Sequence, residues 1–235
     1  MDRVQLQTIA RECATPAYLF DIDELISRIE MVKQELAQSI QLCYAMKANP
    51  FLIKPIQTRV DKYEVCSMGE FRICERAGIA MEQIVLSGVN KEKEDILSIM
   101  ETDGSKGTYT IESLEQLELL EYCAAQTGNV IRALIRLTSG NQFGVDEEDI
   151  CTMIEKRKAY PHISFIFLHI FLNMLIIWSF HSHRLPIICE MIDSAIHDCI
   201  LLSMVFLLIC NAGQIISTIS RQIPSHLESN LPCIF

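Results

Sequence analysis

Lys47, Ser67, Ser87, Glu112 and Arg136 all stand where an apolar run stops, so each is placed at the end of a segment that enters a core. Lys47 closes QLCYAMK (41–47), and Asn49-Pro50 then breaks the chain. Side chains alternate along a strand, so Cys43, Ala45 and Lys47 share one face while Leu42, Tyr44 and Met46 share the other. The small Ala45 leaves room over the amine. A partly desolvated lysine can have its pKa lowered and act as a nucleophile. For an arbitrary strand-end lysine, a solvated surface cation is the expectation in roughly nine cases of ten, so the neighbours of Lys47 must decide.

The elements that would position these residues alternate. Strands are predicted from residues 41, 62, 83, 107, 130 and 162, and an earlier one over AYLFDID (17–23). Asp23 is placed to cap a helix carrying Leu25, Ile29 and Val32 at helical spacing. Further helices are expected, a short one near 51–59, then over 68–77 to a stop at Gly78, near 91–100, over 113–126 before Gly128, and near 146–157. In the fourth of these, Leu114, Leu117 and Leu120 fall on one face. This alternation indicates βαβ units and a parallel sheet. A doubly wound sheet would fit it. So would a partial (β/α)8 TIM-type barrel with about six of eight strands, in which functional groups sit at the C-terminal strand ends. No GxGxxG or GxxxxGK[ST] loop is present, which counts against a nucleotide fold.

The bulk composition narrows the class. A chain of 235 residues holds one large domain or two small ones. Its net charge of -10 argues against a nucleic-acid surface, which needs clustered cations. Ten cysteines without a CxxC pair give no zinc or redox motif and read as reduced thiols of a cytoplasmic protein. Residues 1–15 carry Asp2, Arg3, Arg11 and Glu12 without a long apolar run, so no signal peptide is expected there.

The words around Lys47 carry a resemblance. YAMKANP resembles the cofactor-lysine motif of the fold-type III pyridoxal-phosphate enzymes, the ornithine, diaminopimelate and arginine decarboxylase family whose barrel is shared with alanine racemase. TPAYLFDID is similar to the opening segment of that family, YEVCSMGE to its third segment, QIVLSGVNKE to its fourth, and IRLTSGNQFGVDEED to the segment with an arginine and a Phe-Gly pair. Together they span residues 15 to about 171 in order. The resemblance implies an amino-acid decarboxylase, with an alanine-racemase-like enzyme or a cofactor-binding protein as alternatives. It implies pyridoxal 5'-phosphate as cofactor, Lys47 as the catalytic residue forming the internal Schiff base, and Glu64, Glu70, Arg136, His169 and Phe171 around the cofactor. Glu70 would hold the pyridine nitrogen protonated, which makes the ring a better electron sink. The residues alone allow plainer roles: Glu70 as a helix first-turn acid, Arg136 as the partner of a core carboxylate, and Phe171 as packing. No metal is implied.

The sequence changes character near residue 163. Of the charged residues only Arg184, Glu190, Asp193, Asp198, Arg221 and Glu228 lie beyond 162, and after Gly144 the only glycine is Gly213. Phe167 stands where the resembled family has a glycine, and LNM where it has a Gly-Ser/Thr-Gln turn. A glycine-rich phosphate loop, a Glu-Pro-Gly-Arg segment and the C-terminal β domain that completes the site in homodimeric relatives find no counterpart. The expectation is an incomplete cofactor-binding barrel over 1–171 and an atypical apolar tail over 172–235, the product of a truncated or disrupted gene with weak or no activity. On that expectation the strands at 41 and 162 would both be open edges, and the tail would be mostly apolar helix. Two other classes stand beside it. Residues 163–180 and 199–219 are long enough to span a bilayer as anchor helices, and the N-terminal part could be a non-catalytic interaction module.

Overall fold

A computed structural model of the chain describes residues 3–13, 18–35, 41–88, 90–138, 140, 142–170 and 205–206. The six strands expected from residue 41 onward are β1 (Leu42–Ala45), β2 (Lys62–Val65), β3 (Ile84–Leu86), β4 (Thr108–Ile111), β5 (Ile131–Leu137) and β6 (Ile163–Ile170). They pair in parallel and in sequence order. A doubly wound sheet reverses its strand order at a switch point, whereas a barrel adds strands in succession. The observed succession is that of a partial (β/α)8 barrel. A two-residue strand, β7 (Val205–Phe206), pairs in parallel with β1. The expectation that β1 is an open edge is therefore corrected: its ladder groups at Leu42 and Cys43 have a partner strand.

The helices are α1 (Arg3–Glu12), α2 (Ile22–Glu35), α3 (Ile53–Ile56), α4 (Met68–Arg76), α5 (Lys93–Met100), α6 (Leu114–Thr127) and α7 (Glu147–Glu155). Their ends follow local chemistry. Ser67, Ser113 and Asp146 each accept, through the side chain, the backbone N–H three residues on, which satisfies an otherwise orphaned donor. Gly128 ends α6 at φ 66, in the left-handed region where a side chain would be strained.

Alternation along the strands divides the interior in two. Leu42, Tyr44 and Met46 join the large core between sheet and helices, together with Tyr63, Ile84 and Tyr109. Cys43, Val85 and Leu134 form a smaller cluster on the other face, against Ile166. That second face is the barrel interior, and the division at β1 is the one expected from the sequence. Tyr44 and Tyr109 are fully buried but keep their hydroxyls bonded, to the carbonyl oxygens of Asn49 at 2.9 Å and Gly104 at 2.9 Å. Truncating such a ring costs about 3–5 kcal/mol.

Four expectations are corrected. Residues 18–21 are not a strand: Tyr18 is 94% exposed, and no strand among the described residues pairs with the segment to satisfy its backbone. The following helix is capped by Asp21, whose Oδ1 accepts the Glu24 N–H at 3.1 Å, and Asp23 lies in the first turn instead. Leu114 is 44% exposed because it opens α6 beyond the face that buries Leu117 and Leu120. The helix near 51–59 is a 3-10 turn over Pro50–Leu52 running into the short α3, a start that Asn49 caps by accepting the Phe51 N–H.

The first proposed membrane span is contradicted over residues 163–170. They form β6, paired along its length with β5, with a register shift beside Ala133 and Leu134. Among the described residues no helix is long and apolar enough to cross a membrane. Apart from 205–206, the span at 199–219 and the expected apolar helix after 171 lie outside the described residues.

Candidate active site

Lys47 sits in the turn that leaves β1. Three bonds fix that turn. The Met46 N–H donates to the Glu64 carbonyl at 3.0 Å, Ala48 N–H donates to the Ala45 carbonyl at 3.0 Å, and the Tyr44 hydroxyl reaches the Asn49 carbonyl. The core side of β1 thus holds both flanks of the lysine while its own chain is 45% exposed. The Lys47 Nζ lies 3.9 Å from Oε2 of Glu64, the residue in register with Ala45 on β2.

Glu64 is 2% exposed, and its Oε2 has no hydrogen-bond partner. Burial pushes its pKa up. Lys47, a hydrogen bond from Ser87 and Arg136 oppose that rise, and Glu112 adds to it. From Glu64 the polar groups continue across the barrel face. Ser87 follows β3, and the Thr110 hydroxyl on β4 lies 3.4 Å from the Ser87 hydroxyl. Glu112 ends β4 and is buried. Its Oε2 accepts from Arg136 Nη1 at 2.8 Å, and its Oε1 from the Gly88 N–H at 3.0 Å. Lys47, Ser87, Glu112 and Arg136 thus fall in one polar band at the strand ends, as the barrel reading requires, whereas Ser67 is turned to capping α4.

Arg136 is held from a second side. Its guanidinium carbon lies 5.2 Å from the centre of the Phe143 ring, within cation–π range. The chain after β5 folds back so that the Val145 N–H donates to the Arg136 carbonyl and the Thr138 N–H to the Val145 carbonyl, both at 2.8 Å. Gly144 makes that return with φ 82, and a Cβ there would stand 2.7 Å from the Arg136 carbonyl oxygen. The Phe-Gly pair thus has a physical basis, since Phe143 covers the guanidinium and Gly144 allows the backbone to close on it.

The remaining expected residues divide. Glu70 lies in the first turn of α4, and its Oε2 accepts the Cys66 N–H at 2.7 Å while Ser67 Oγ accepts the Glu70 N–H at 3.3 Å. This reciprocal pair resembles a capping box and fixes the loop after β2. His169 is, by backbone register, the partner of Arg136 on β6. Phe171 lies outside the described residues. Cys66 stands between Glu64 and Glu70, and its surroundings disfavour the thiolate. Burial first, and the Glu64 charge second, push its thiol up to about 12.

Lys91 and Gln116 were not expected in the site. Lys91 Nζ donates to the Gly88 carbonyl and to Gln116 Oε1, the latter at 3.0 Å. The same Oε1 accepts the Glu112 N–H at 3.1 Å, and Gln116 Nε2 donates to the Gly88 carbonyl at 3.3 Å. Burial draws Lys91 down to about 8, against the pull of Glu112. The sequence does carry a signal: ESLEQ places Ser113 and Gln116 at capping-box spacing directly after Glu112.

A half-exposed amine over a buried carboxylate oxygen that has no hydrogen bond suits covalent capture of an aldehyde. The sequence profile of the alanine racemase N-terminal domain matches residues 20–174. The chain belongs to the alanine racemase N-terminal domain family. It is 28% identical over 139 residues to the diaminopimelate decarboxylase of Aquifex aeolicus, covering 58% of this chain and 32% of that one. The barrel also superposes on the diaminopimelate decarboxylase of Helicobacter pylori complexed with L-lysine (TM-score 0.62, 23% identity, 70% of this chain and 46% of that one). On the alanine racemase of Clostridium difficile 630 the TM-score is 0.64, at 16% identity, over 78% and 53% of the two chains. These two likenesses show the fold. The chain spans 32–43% of the length of three curated decarboxylases that it matches. Homologous fold-type III decarboxylases use pyridoxal phosphate.

Proposed function

We propose that this member of the alanine racemase N-terminal domain family binds pyridoxal phosphate at the C-terminal ends of its strands and serves the decarboxylation of an amino acid. The observation that carries the reading is the Lys47 amine, 3.9 Å from a buried Glu64 oxygen that has no hydrogen bond. A carboxylate excluded from water without a full set of donors is costly. A cofactor group or a displaced ammonium at that place would offset the cost.

Lys47 is the residue that holds the cofactor covalently. Glu64 and Arg136 set the charge around it, and His169 stands beside Arg136 on the neighbouring strand. Glu70 is assigned to the ring nitrogen, as a carboxylate already fixed by the Cys66 amide. The bound cofactor supplies an electron sink for the pair left behind when a substrate bond breaks. The chain's residues orient and balance charge: Arg136 is kept in place by Glu112 and Phe143, and Glu112 by Gly88 and Gln116. Similarity to curated decarboxylases favours loss of carbon dioxide over racemisation. Product analysis separates the two.

The test is a spectral titration of purified protein with pyridoxal phosphate, then borohydride reduction and peptide mapping. A new absorbance band and a cofactor mass increment on the Lys47 peptide are expected, and Lys47→Ala removes both. Label spread evenly over surface lysines, unchanged in Lys47→Ala, would overturn the reading.

A further inference from the structure

We propose that Glu64 is the proton acceptor of Lys47: the proton leaves Nζ, is held at Oε2, and returns when the amine is set free again. The inference deepens the reading above and rests on it only for the identity of Lys47 as the reactive amine. In the step one N–H bond breaks and one O–H bond forms, and the electron pair stays on Nζ. The half-exposed Lys47 chain closes the 3.9 Å gap to hydrogen-bond distance as the proton passes.

Three features of the site lead here. An ammonium has no lone pair, so Lys47 must lose a proton before it can attack a carbonyl carbon. The carboxyl oxygen facing it, 3.9 Å away, is buried and unpartnered, so it has a vacant acceptor position on the protein side of the amine. Its surroundings favour the neutral acid when the proton arrives. Burial outweighs the two cations that face Glu64, Lys47 from the turn after β1 and Arg136 from β5, while Glu112 from β4 acts with burial and the Cys43 and Cys66 thiols stand beside it. Glu112 is already paired with Arg136 at 2.8 Å, so that guanidinium is engaged elsewhere and does not lock Glu64 in its charged form. Ser87 supplies the opposing hydrogen bond that keeps the group able to release the proton again. Positioned proton transfer of this kind is worth about 10²–10⁴-fold in rate.

An ion-pair role and a proton-acceptor role predict opposite signs, and the cofactor-free protein can tell them apart. A carboxylate that merely stabilises the ammonium slows the amine, so Glu64→Gln would speed its reaction. A carboxylate that accepts the proton accelerates it, so Glu64→Gln slows it. The experiment is competitive labelling of Lys47 with acetic anhydride from about pH 4 to about pH 10, read peptide by peptide by mass spectrometry, a window spanning ordinary Glu and Lys titrations. Wild type is expected to show a plateau in log rate across the middle of that window. Glu64→Gln, isosteric and folded, is expected to show a rise of unit slope and at least about a tenfold lower rate near pH 6. Ser87→Ala is expected to move the start of the plateau to higher pH, because it removes the hydrogen bond that favours the Glu64 carboxylate. Unit slope in wild type, or faster labelling in Glu64→Gln, would overturn the proposal. No cofactor is used, so that outcome is distinct from a failure of Lys47 to bind pyridoxal phosphate.

Discussion

Arg136 Nη1 lies 2.8 Å from Glu112 Oε2, and the two side chains are 13% and 1% exposed. Two charges this far from water are stable because each has further partners: Gly88 N–H on Glu112, the Phe143 ring on Arg136. Glu112→Gln keeps the shape but leaves the guanidinium without its counter-charge. Breaking a buried pair from one side costs roughly 3–5 kcal/mol, and the residual exposure of Arg136 places this case at about 3 kcal/mol. Urea denaturation measures it. The double variant Glu112→Gln/Arg136→Met is expected to recover more than half of the loss, since it removes the stranded charge. A single-variant loss below about 1 kcal/mol would mean that water solvates the pair.

Gly144 and Gly78 both have positive φ, at 82 and 74 degrees, but their surroundings differ. A Cβ at Gly144 would meet the Arg136 carbonyl oxygen at 2.7 Å and the Thr138 nitrogen at 2.9 Å, whereas one at Gly78 would meet nothing within 4 Å. Gly78→Ala is expected to cost about 1 kcal/mol, the left-handed penalty alone. Gly144→Ala adds displacement of backbone at the root of Arg136 and is expected to cost roughly 2–3 kcal/mol. Thermal melts of the two variants should keep that order. Equal shifts would show that the return loop at 144 yields without strain.

Lys91 makes part of the stability depend on alkaline pH. Its folded pKa, about 8, lies below its unfolded value of about 10.4. Below pH 8 the ammonium is charged in both states and the folded state bears the burial cost. Between about 8 and about 10.4 the folded state has already lost the proton, so this cost fades as pH rises. Buried thiols act oppositely. Cys43, Cys66 and Cys74 are all raised, so each lowers stability once the unfolded thiol ionises. The difference between wild type and Lys91→Met isolates the lysine. The stability of Lys91→Met relative to wild type is expected to fall steadily from pH 8 to pH 10.5 in denaturation midpoints taken across that range. A flat difference would place Lys91 in water.

The six strands from residue 41 and the inward face of β1 were legible because alternation and apolar runs respond to burial alone, which a sequence records directly. The barrel was legible through the family resemblance and the missing nucleotide loops, not through periodicity, which both winding schemes share; the strand pairing decides it in the structure. Within the site, the place of Lys47 at the end of β1, of Glu70 in a first helical turn and of Arg136 against a core carboxylate was legible; which carboxylate was not. That Arg136 pairs with Glu112, 24 positions earlier, follows from the registers of β4 and β5 and not from spacing. Lys91 was hidden because its bonds run to Gly88 and Gln116, whose meeting is set by the β3 and β4 turns. The strand expected at 17–23 failed for a related reason. An apolar run specifies a strand only when a neighbouring ladder is there to receive it.

Cofactor capture and turnover should separate in this chain. Capture needs the Lys47 amine and an aldehyde, both at the open end of β1. Turnover needs more. The cofactor phosphate brings about two negative charges to a chain of net charge -10. A backbone cradle that would offset them depends on close approach and unusual dihedrals, and beyond Gly144 the sequence has Gly213 alone for that purpose. A substrate misplaced by about 1 Å loses on the order of a hundredfold in rate. The expected outcome is a weak, Lys47-dependent absorbance band with pyridoxal phosphate and no carbon dioxide above the free-cofactor background from ornithine, lysine, arginine or diaminopimelate. Trapping of released carbon dioxide beside the Lys47→Ala control measures it. Turnover above background that Lys47→Ala abolishes would mean that residues 171–235 supply the phosphate and substrate contacts by a route other than a glycine-rich loop.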